Sequence, residues 1–313
     1  MRLSDRIGRH MKLHDLHVMM AVVQAGSMNK AAGLLNTTQP AVSKSIAELE
    51  RAVGMRLLDR KAQGVEPTVY GRALLDGGTA VFDDLRQAVK NIEFLADPTT
   101  GEVRIGCNPF LSASFVPAVV DRLSRRFPRI VIHLVTATVE ALHRELRERN
   151  VDLVITRRFG SIADERMEFE FLYDEPHVVV AGAQSPWARR RRIELAELVS
   201  EPWALPAPKS VSESVAMEGF RARGLDYPRS TVVTGDVQAR ISLVAAGRFL
   251  SILPSALRFP AGQPDIRVLP VEPQIAEMPV GVVTLTNRTL GPVAQLFINY
   301  AREVAKPLAR RKT

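Results

Sequence analysis

Between residues 39 and 53 the apolar positions fall at Val42, Ile46, Leu49 and Val53, steps of four, three and four that line one face of a helix. The opposite flank carries Gln39, Ser43, Lys44 and Ala47, which are small, polar or basic. Gly54 follows, the residue type that ends helices. A shorter helical pattern with compact Ala31, Ala32 and Leu35 precedes it, across a polar break at Asn36, Thr37 and Thr38. Ser27 and Thr38 stand where N-caps belong, and Pro40 falls in a first turn, where its missing N–H costs nothing. Lys30 occupies the place of the Glu or Gln of a capping box, and a basic residue there suits a helix start facing phosphate. A first helix is expected over residues 13–25, with Leu16, Met20 and Val23 on one face. Short helices around a tight turn, the second opening on hydrogen-bonding side chains, describe a helix-turn-helix reader of the DNA major groove. The competing reading is an ordinary helical hairpin with solvated polar groups.

Residues 56–68 are basic and contain Gly64, with Arg60 and Lys61 placed for a wing against the DNA backbone. Next, Leu74, Gly78, Val81, Leu85, Ala88, Ile92 and Leu95 alternate steps of four and three within an expected helix over 70–95. That heptad seam predicts a dimerisation helix, the alternative being a helix packed on its own domain. Asp97, Pro98, Thr99, Thr100 and Gly101 then break the chain and mark a hinge.

Beyond the hinge the pattern alternates. Strands are expected at 102–106, 130–135 and 151–156, with helices at 114–127 and 139–149. The alternation resumes after Tyr173 with segments at 177–181, 195–198, 212–223, 232–235, 241–246 and 249–253, and closes with a strand near 280–286 and a helix at 292–305. Strand–helix–strand order predicts parallel pairing and two similar α/β lobes.

The chain has 313 residues, 46% hydrophobic and 24% charged, which suits about two domains with sizeable cores. Its formal charge of +8 is unevenly spread: residues 1–72 hold 11 Lys and Arg against 6 Asp and Glu, the footprint of a nucleic-acid-binding part. Cys107 is the only cysteine, so no intramolecular disulfide forms, and it reads as a small apolar residue after a strand. No apolar run nears ~18 residues, and the N-terminus lacks the apolar core of a signal peptide, so the expected location is the cytoplasm without membrane contact. Met11 is an alternative start to Met1. Nucleotide-loop, nucleophile-elbow and zincin motifs are absent from the sequence, so no catalytic residue, metal or cofactor is expected. The α/β lobes instead offer a crevice at strand ends. Its candidate lining is Asn108, Phe110, Ser112, Thr136, Thr138 and Arg157, joined from the second lobe by Ser210.

The segments GSMNKAAGLL, TTQPAVSKSIAELE and VGMRLLDRKAQGVEPTVYGRALL resemble the DNA-binding domain, wing and linker helix of LysR-type transcriptional regulators. Leu58 stands where that family usually has Phe, a conservative core exchange. The phrases GVEPTVYGRALL and IEFLADPTTGEVRIG resemble sugar-responsive members such as the galactose regulators. The resemblance implies a winged helix-turn-helix domain over 1–69, a linker (dimerisation) helix over 70–96, and a hinge over 97–101. Behind it would lie a periplasmic-binding-protein-like module of two Rossmann-like lobes, 102–172 with 277–313, and 173–276. It implies an effector-controlled, sequence-specific regulator rather than an enzyme. Ser27, Lys30, Thr38, Gln39, Pro40, Ser43, Lys44, Arg60 and Thr68 are the candidate DNA contacts. Implied partners are double-stranded DNA, a small effector (sugar, sugar acid or aromatic acid), further copies of the chain as a dimer and dimer of dimers, and RNA polymerase. Phe110 stands near where many members that bind aromatic acids carry Ser or Thr. The rival reading is an α/β small-molecule-binding protein or enzyme with an incidental helical N-terminus.

Overall fold

The computed structural model describes residues 11–61, 64–158, 164–207, 211–255, 266–271 and 276–309. The chain divides into two units, Met1–Val89 and Lys90–Thr313.

In the first unit, helices α1 (Leu13–Ala25), α2 (Met28–Leu34) and α3 (Gln39–Val53) enclose a small core. Val42, Ile46 and Leu49 are buried as their spacing predicts. Helix α1 is buried on more of its circumference than expected. Leu16 is joined by Val18, Met19 and Val22, while Met20 and Val23 are half-buried, because both α2 and α3 pack on it. Gly26 and Gly54 close α1 and α3 in the left-handed region, at φ +66° and +76°. Asn36, φ +50°, turns the chain between α2 and α3. Ser27 and Thr38 take the extended N-cap backbone, but neither hydroxyl makes the expected cap. Neither residue is buried, so water can serve the first N–H groups of each helix.

A two-stranded antiparallel wing follows, β1 (Leu58–Lys61) against β2 (Gly64–Pro67). Its base is tied to α3: the Glu50 carboxylate accepts from the N–H groups of Leu57 (2.7 Å) and Leu58 (3.2 Å). The long helix α4 (Val69–Ala96) starts there. The Thr68 hydroxyl donates to the Arg56 carbonyl at 2.8 Å and accepts from the Gly71 N–H at 3.1 Å. A Cβ built on Gly71 would lie 2.1 Å from the Leu57 carbonyl oxygen, so only glycine fits where α4 crosses the base of the wing.

The expected seam of α4 divides. Leu74 packs on the N-terminal core and Gly78 lies against Leu16. Val81, Leu85, Ala88, Ile92 and Leu95 are exposed, Leu95 at 83%. The first turns of the helix thus serve the domain's own core, and the later apolar row does not.

The second unit is built on a seven-stranded sheet in the order β10-β6-β11-β5-β3-β4, with β9 also pairing β6. Strands β3 (Thr100–Cys107), β4 (Arg129–Thr136) and β5 (Leu153–Arg157) are parallel, as the alternation predicts. The expected helix at 114–127 is α6 (Phe115–Arg126), preceded by a short additional helix α5 (Pro109–Ala113), and α7 (Val139–Arg147) follows β4. The parallel pattern does not extend across the sheet. Strand β6 (Met167–Gly182) is 16 residues long, where only 177–181 was expected. Strand β11 (Ala276–Leu285) returns antiparallel between β5 and β6, so the sheet is mixed.

The rest of the chain forms a second α/β lobe. It contains β7 (Trp203–Leu205), α8 (Val211–Arg221), β8 (Ser230–Val233), α9 (Val237–Ala245), β9 (Ser251–Pro254) and β10 (Ile266–Val268). Strands β7 and β8 pair in parallel and meet β9's approach through a Trp203–Leu250 bridge. The final helix α10 (Pro292–Ala309) packs on β6 and α6 in the first lobe, so the chain's end completes that lobe. Each lobe has its own core, one around Val103, Phe115 and Phe297, the other around Trp203, Phe220 and Ile252.

Gly71→Ala places a methyl group against a carbonyl fixed by the wing. We expect the N-terminal unit to lose about 1–3 kcal/mol or more, an overpacking cost, seen as a lower melting transition in circular dichroism. An unchanged transition would mean that the helix start moves freely off the wing.

Candidate functional site

The first site lies on the exposed flank of α3. Pro40 and Lys44 are exposed on the side away from the core stripe, Ser43 is half-buried at its edge, and Gln39 is exposed at the first position of the helix, one turn before Ser43. Lys30 is exposed on α2. Arg60, expected to stand out from the wing, instead reaches back. Its Nη2 donates to Ser43 Oγ at 3.4 Å and approaches Met28 Sδ at 3.8 Å. Guanidinium, serine hydroxyl and Gln39 thus share one flank. On the wing Lys61 pairs with Glu66 at 2.5 Å, and that carboxylate holds the ammonium above its ordinary range. The Thr68 hydroxyl, expected to meet phosphate, is committed inside the domain as described. Glu50, which anchors the wing, was not singled out from sequence, since its partners lie seven and eight residues away in a segment without periodicity.

The second site lies in the α/β unit, at the carboxyl ends of β3, β4 and β5. Asn108 caps α5, its Oδ1 accepting from the N–H groups of Phe110 (3.1 Å) and Leu111 (3.0 Å). Ser112 is half-buried, and its hydroxyl donates to the Pro109 carbonyl at 2.8 Å. Thr136 pairs with Cys107 in the sheet register and is exposed. Thr138 caps α7 by accepting from the Ala141 N–H at 3.4 Å. Burial pushes the Cys107 thiol up, which suits a packing residue rather than a nucleophile. Ser210 lies outside the described residues.

Phe110 and Arg157 are drawn together. The Arg157 guanidinium carbon lies 5.2 Å from the centre of the Phe110 ring, and that of Arg240 on α9 lies 4.9 Å from it. The same ring packs among Val180, Val237, Ile241, Val244 and Leu253, so a residue of the first lobe enters the apolar cluster of the second. Arg157, a candidate lining residue, already holds a carboxylate of the protein's own. Its Nε donates to Glu175 Oε2 at 2.5 Å. Both partners are buried, Glu175 fully.

Sequence reasoning missed the company of this pair. Tyr173, Glu175, His177 and Arg240 are all buried. The signal was present as polar residues at every second position, 173, 175 and 177, the period of a strand face. Burial pushes the Arg240 guanidinium down to about 10, leaving it charged at neutral pH. Burial, with the Arg157 charge next, pushes the His177 imidazole down to about 3 and leaves it neutral. The cluster therefore sets two guanidinium charges against one carboxylate. Several of its polar atoms have no hydrogen bond, a state that costs about 1–3 kcal/mol per group. Among the described residues no group of three or more His, Cys, Asp or Glu is placed to hold a metal ion, and no helix is long and apolar enough to cross a membrane.

A winged helix-turn-helix unit followed by two α/β lobes is the architecture of an effector-responsive DNA-binding regulator. Family models agree over most of the chain. Residues 13–72 match the bacterial regulatory helix-turn-helix protein of the lysR family, and residues 96–306 match the LysR substrate binding domain. The chain belongs to the LysR family, whose members are transcriptional regulators and not enzymes. It is similar to the HTH-type transcriptional regulator GbpR of Azospirillum brasilense, with 25% identity covering 96% of this chain and 89% of that one. It is also similar to the HTH-type transcriptional regulator TdcA of Escherichia coli K12, with 24% identity and 93% of each chain covered. Among solved structures, the fold matches CbnR, a LysR family transcriptional regulator, at a TM-score of 0.62 and 21% identity, covering 95% of this chain and all of that one. A full-length OxyR variant from Pseudomonas aeruginosa matches at 0.68 and 19% identity, covering 97% of this chain and all of that one.

His177 is neutral in the folded protein and takes up a proton near pH 6.5 when unfolded. From pH 6.5 down to about 3 the unfolded state binds one proton more, so stability falls with pH by about 1.4 kcal/mol per unit. Arg157, Arg240 and Glu175 face the ring. In urea titrations of the α/β unit between pH 6.5 and 5, we expect His177→Gln to flatten this dependence by about one proton. Equal slopes for both proteins would show that the ring is protonated in place.

Proposed function

We propose that α3 reads the operator and that Gln39 and Ser43 are its base-reading side chains. The observation carrying this is the shared flank on which Gln39 and Lys44 are exposed and Arg60 reaches Ser43. Gln offers a paired donor and acceptor to adenine in the major groove. Ser27, Lys30, Thr38, Pro40, Lys44 and Arg60 then position the domain on phosphates, while Thr68 shapes the wing. CbnR, which shares the fold, has been crystallised with its target DNA.

The domain bounds we propose are 1–69 for reading, 70–96 for pairing, 97–101 for the hinge, and two lobes of 102–172 with 277–313, and 173–276. The exposed row of α4 pairs two copies of the chain, and two pairs make a dimer of dimers. A small effector, drawn from sugars, sugar acids or aromatic acids, binds between the lobes with Asn108, Phe110, Ser112, Thr136, Thr138, Arg157 and Ser210 around it. It acts by preferring one arrangement of the lobes, which is the only way a ligand shifts an equilibrium. The regulator works in the cytoplasm and meets RNA polymerase at its promoter.

Two substitutions separate reading from positioning. Gln39→Ala weakens binding to the operator by the ~1–3 kcal/mol of a lost bidentate contact and leaves random DNA nearly unaffected. Arg60→Ala weakens both alike and lowers the salt slope by about one unit. Fluorescence anisotropy on both DNAs at several salt concentrations measures this, and an equal loss on both DNAs for Gln39→Ala would remove it as a reader. Assembly has its own test. Each Leu buried in a symmetric pair contributes about 1.5–3 kcal/mol, and the two-fold axis doubles it. Leu85→Glu should therefore halve the mass seen by light scattering at low micromolar concentration, with both units still folded. Unchanged mass would place the pairing surface elsewhere.

A further inference from the structure

The sheet register gathers an unusual set of side chains. Across β11, Val280 pairs with Arg157 of β5 on one side and Tyr173 of β6 on the other. Paired residues leave a sheet on the same face, so Arg157, Val280 and Tyr173 form one row. Every second residue of β6 continues that face, giving Glu175 beside Met278 and His177 beside Ala276. Arg240 of α9 joins them through the Phe110 ring. All five polar residues are more than nine-tenths buried.

Four of them keep one atom without a hydrogen bond, Tyr173 Oη, Glu175 Oε1, His177 Nδ1 and Arg240 Nε, while Arg157 directs both Nε and Nη2 at Glu175 Oε2. Buried polar groups in folded proteins are nearly all paired. Four unmatched atoms on one sheet face and its covering helix ask for a common partner. Their chemistry is specific. Arg157 has its anion in Glu175, whereas Arg240 hydrogen-bonds only the Ile252 carbonyl and asks for one. Glu175 has already given one oxygen to Arg157, and its other oxygen accepts only, so it asks for a donor. Tyr173 and the neutral His177 both donate and accept.

We propose that this face seats a hydroxylated carboxylate, with the carboxylate on Arg240 and a hydroxyl donating to Glu175. The proposal rests on the reading of this unit as the effector-binding module and narrows its ligand. A plain acid satisfies Arg240 and leaves Glu175 Oε1 without a donor. A neutral sugar supplies donors and leaves the excess positive charge. A zwitterionic amino acid does the same, because its ammonium cancels its own carboxylate. A hydroxylated monoanion meets both demands, and its hydroxyl serves as donor to Glu175 and acceptor from Tyr173 or His177.

The test titrates the full chain by calorimetry with D-gluconate, hexanoate, D-glucose and norleucine. D-gluconate should bind about tenfold or more tightly than the others, the scale of one well-made charge-assisted hydrogen bond. Tyr173→Phe keeps the ring that packs 5.2 Å from Phe115 and removes only an unmatched hydroxyl, so its melting temperature should not fall. It should weaken D-gluconate by about three- to tenfold and leave hexanoate unchanged. Arg240→Met should abolish binding of both acids. Hexanoate, norleucine or D-glucose binding as tightly as D-gluconate would overturn the ligand class and leave the effector reading intact. No binding by any probe, or D-gluconate binding indifferent to Tyr173→Phe, would show that internal water serves these atoms, and would overturn the site. If D-gluconate binds as expected but leaves operator affinity unchanged in anisotropy, the site stands and its role as the effector site falls.

Discussion

Backbone pairing along β6 is the constraint on which the α/β unit depends. The strand's first ten or so residues pair with β11 inside the first lobe, and its last residues pair with β9 and β10 of the second. Among the described residues no other strand of the sheet reaches both. The lobes thus meet on a continuous ladder, and the polar residues at 173, 175 and 177 sit where it passes from one to the other. A bulge between Val280 and Gly281 lies one step before that stretch. Bulges re-aim side chains next to functional sites, and here the bulge precedes the row formed by Arg157, Val280 and Tyr173.

Periodicity carried the reading where interactions are local. The stripe at Val42, Ile46 and Leu49, the stop at Gly54 and the parallel strands β3 to β5 are properties of short segments. They appear in the structure where the spacing puts them. The mixed sheet was not legible, because β11 lies more than a hundred residues beyond β5 and nothing in its composition says which way it runs. The full length of β6 was not anticipated either, although its alternating Glu and Phe between 168 and 171 carry the period of a strand.

The candidate sites divide in the same way. The reading flank of α3 follows from one helix, so Gln39, Ser43 and Lys44 were found together. The buried charged cluster needs β5, β6, α5 and α9 at once, and only Phe110 and Arg157 of its members were anticipated. The caps at Ser27 and Thr38 failed for a different reason. Sequence identifies a residue able to cap, but at an exposed helix start water competes on nearly equal terms.

Gly71 has a mechanical consequence. Its lack of a side chain lets α4 press on the Leu57 carbonyl, while Glu50 holds the neighbouring N–H to α3. Reading helix, wing and the root of α4 therefore move as one stiff piece. If two chains pair through the outer row of that helix, the distance between their reading helices is set by protein geometry and not by the DNA. Such a pair acts as a ruler. Inserting about 5 base pairs, half a helical turn, between two half-sites would carry one of them to the far face of the duplex, beyond what the ruler spans.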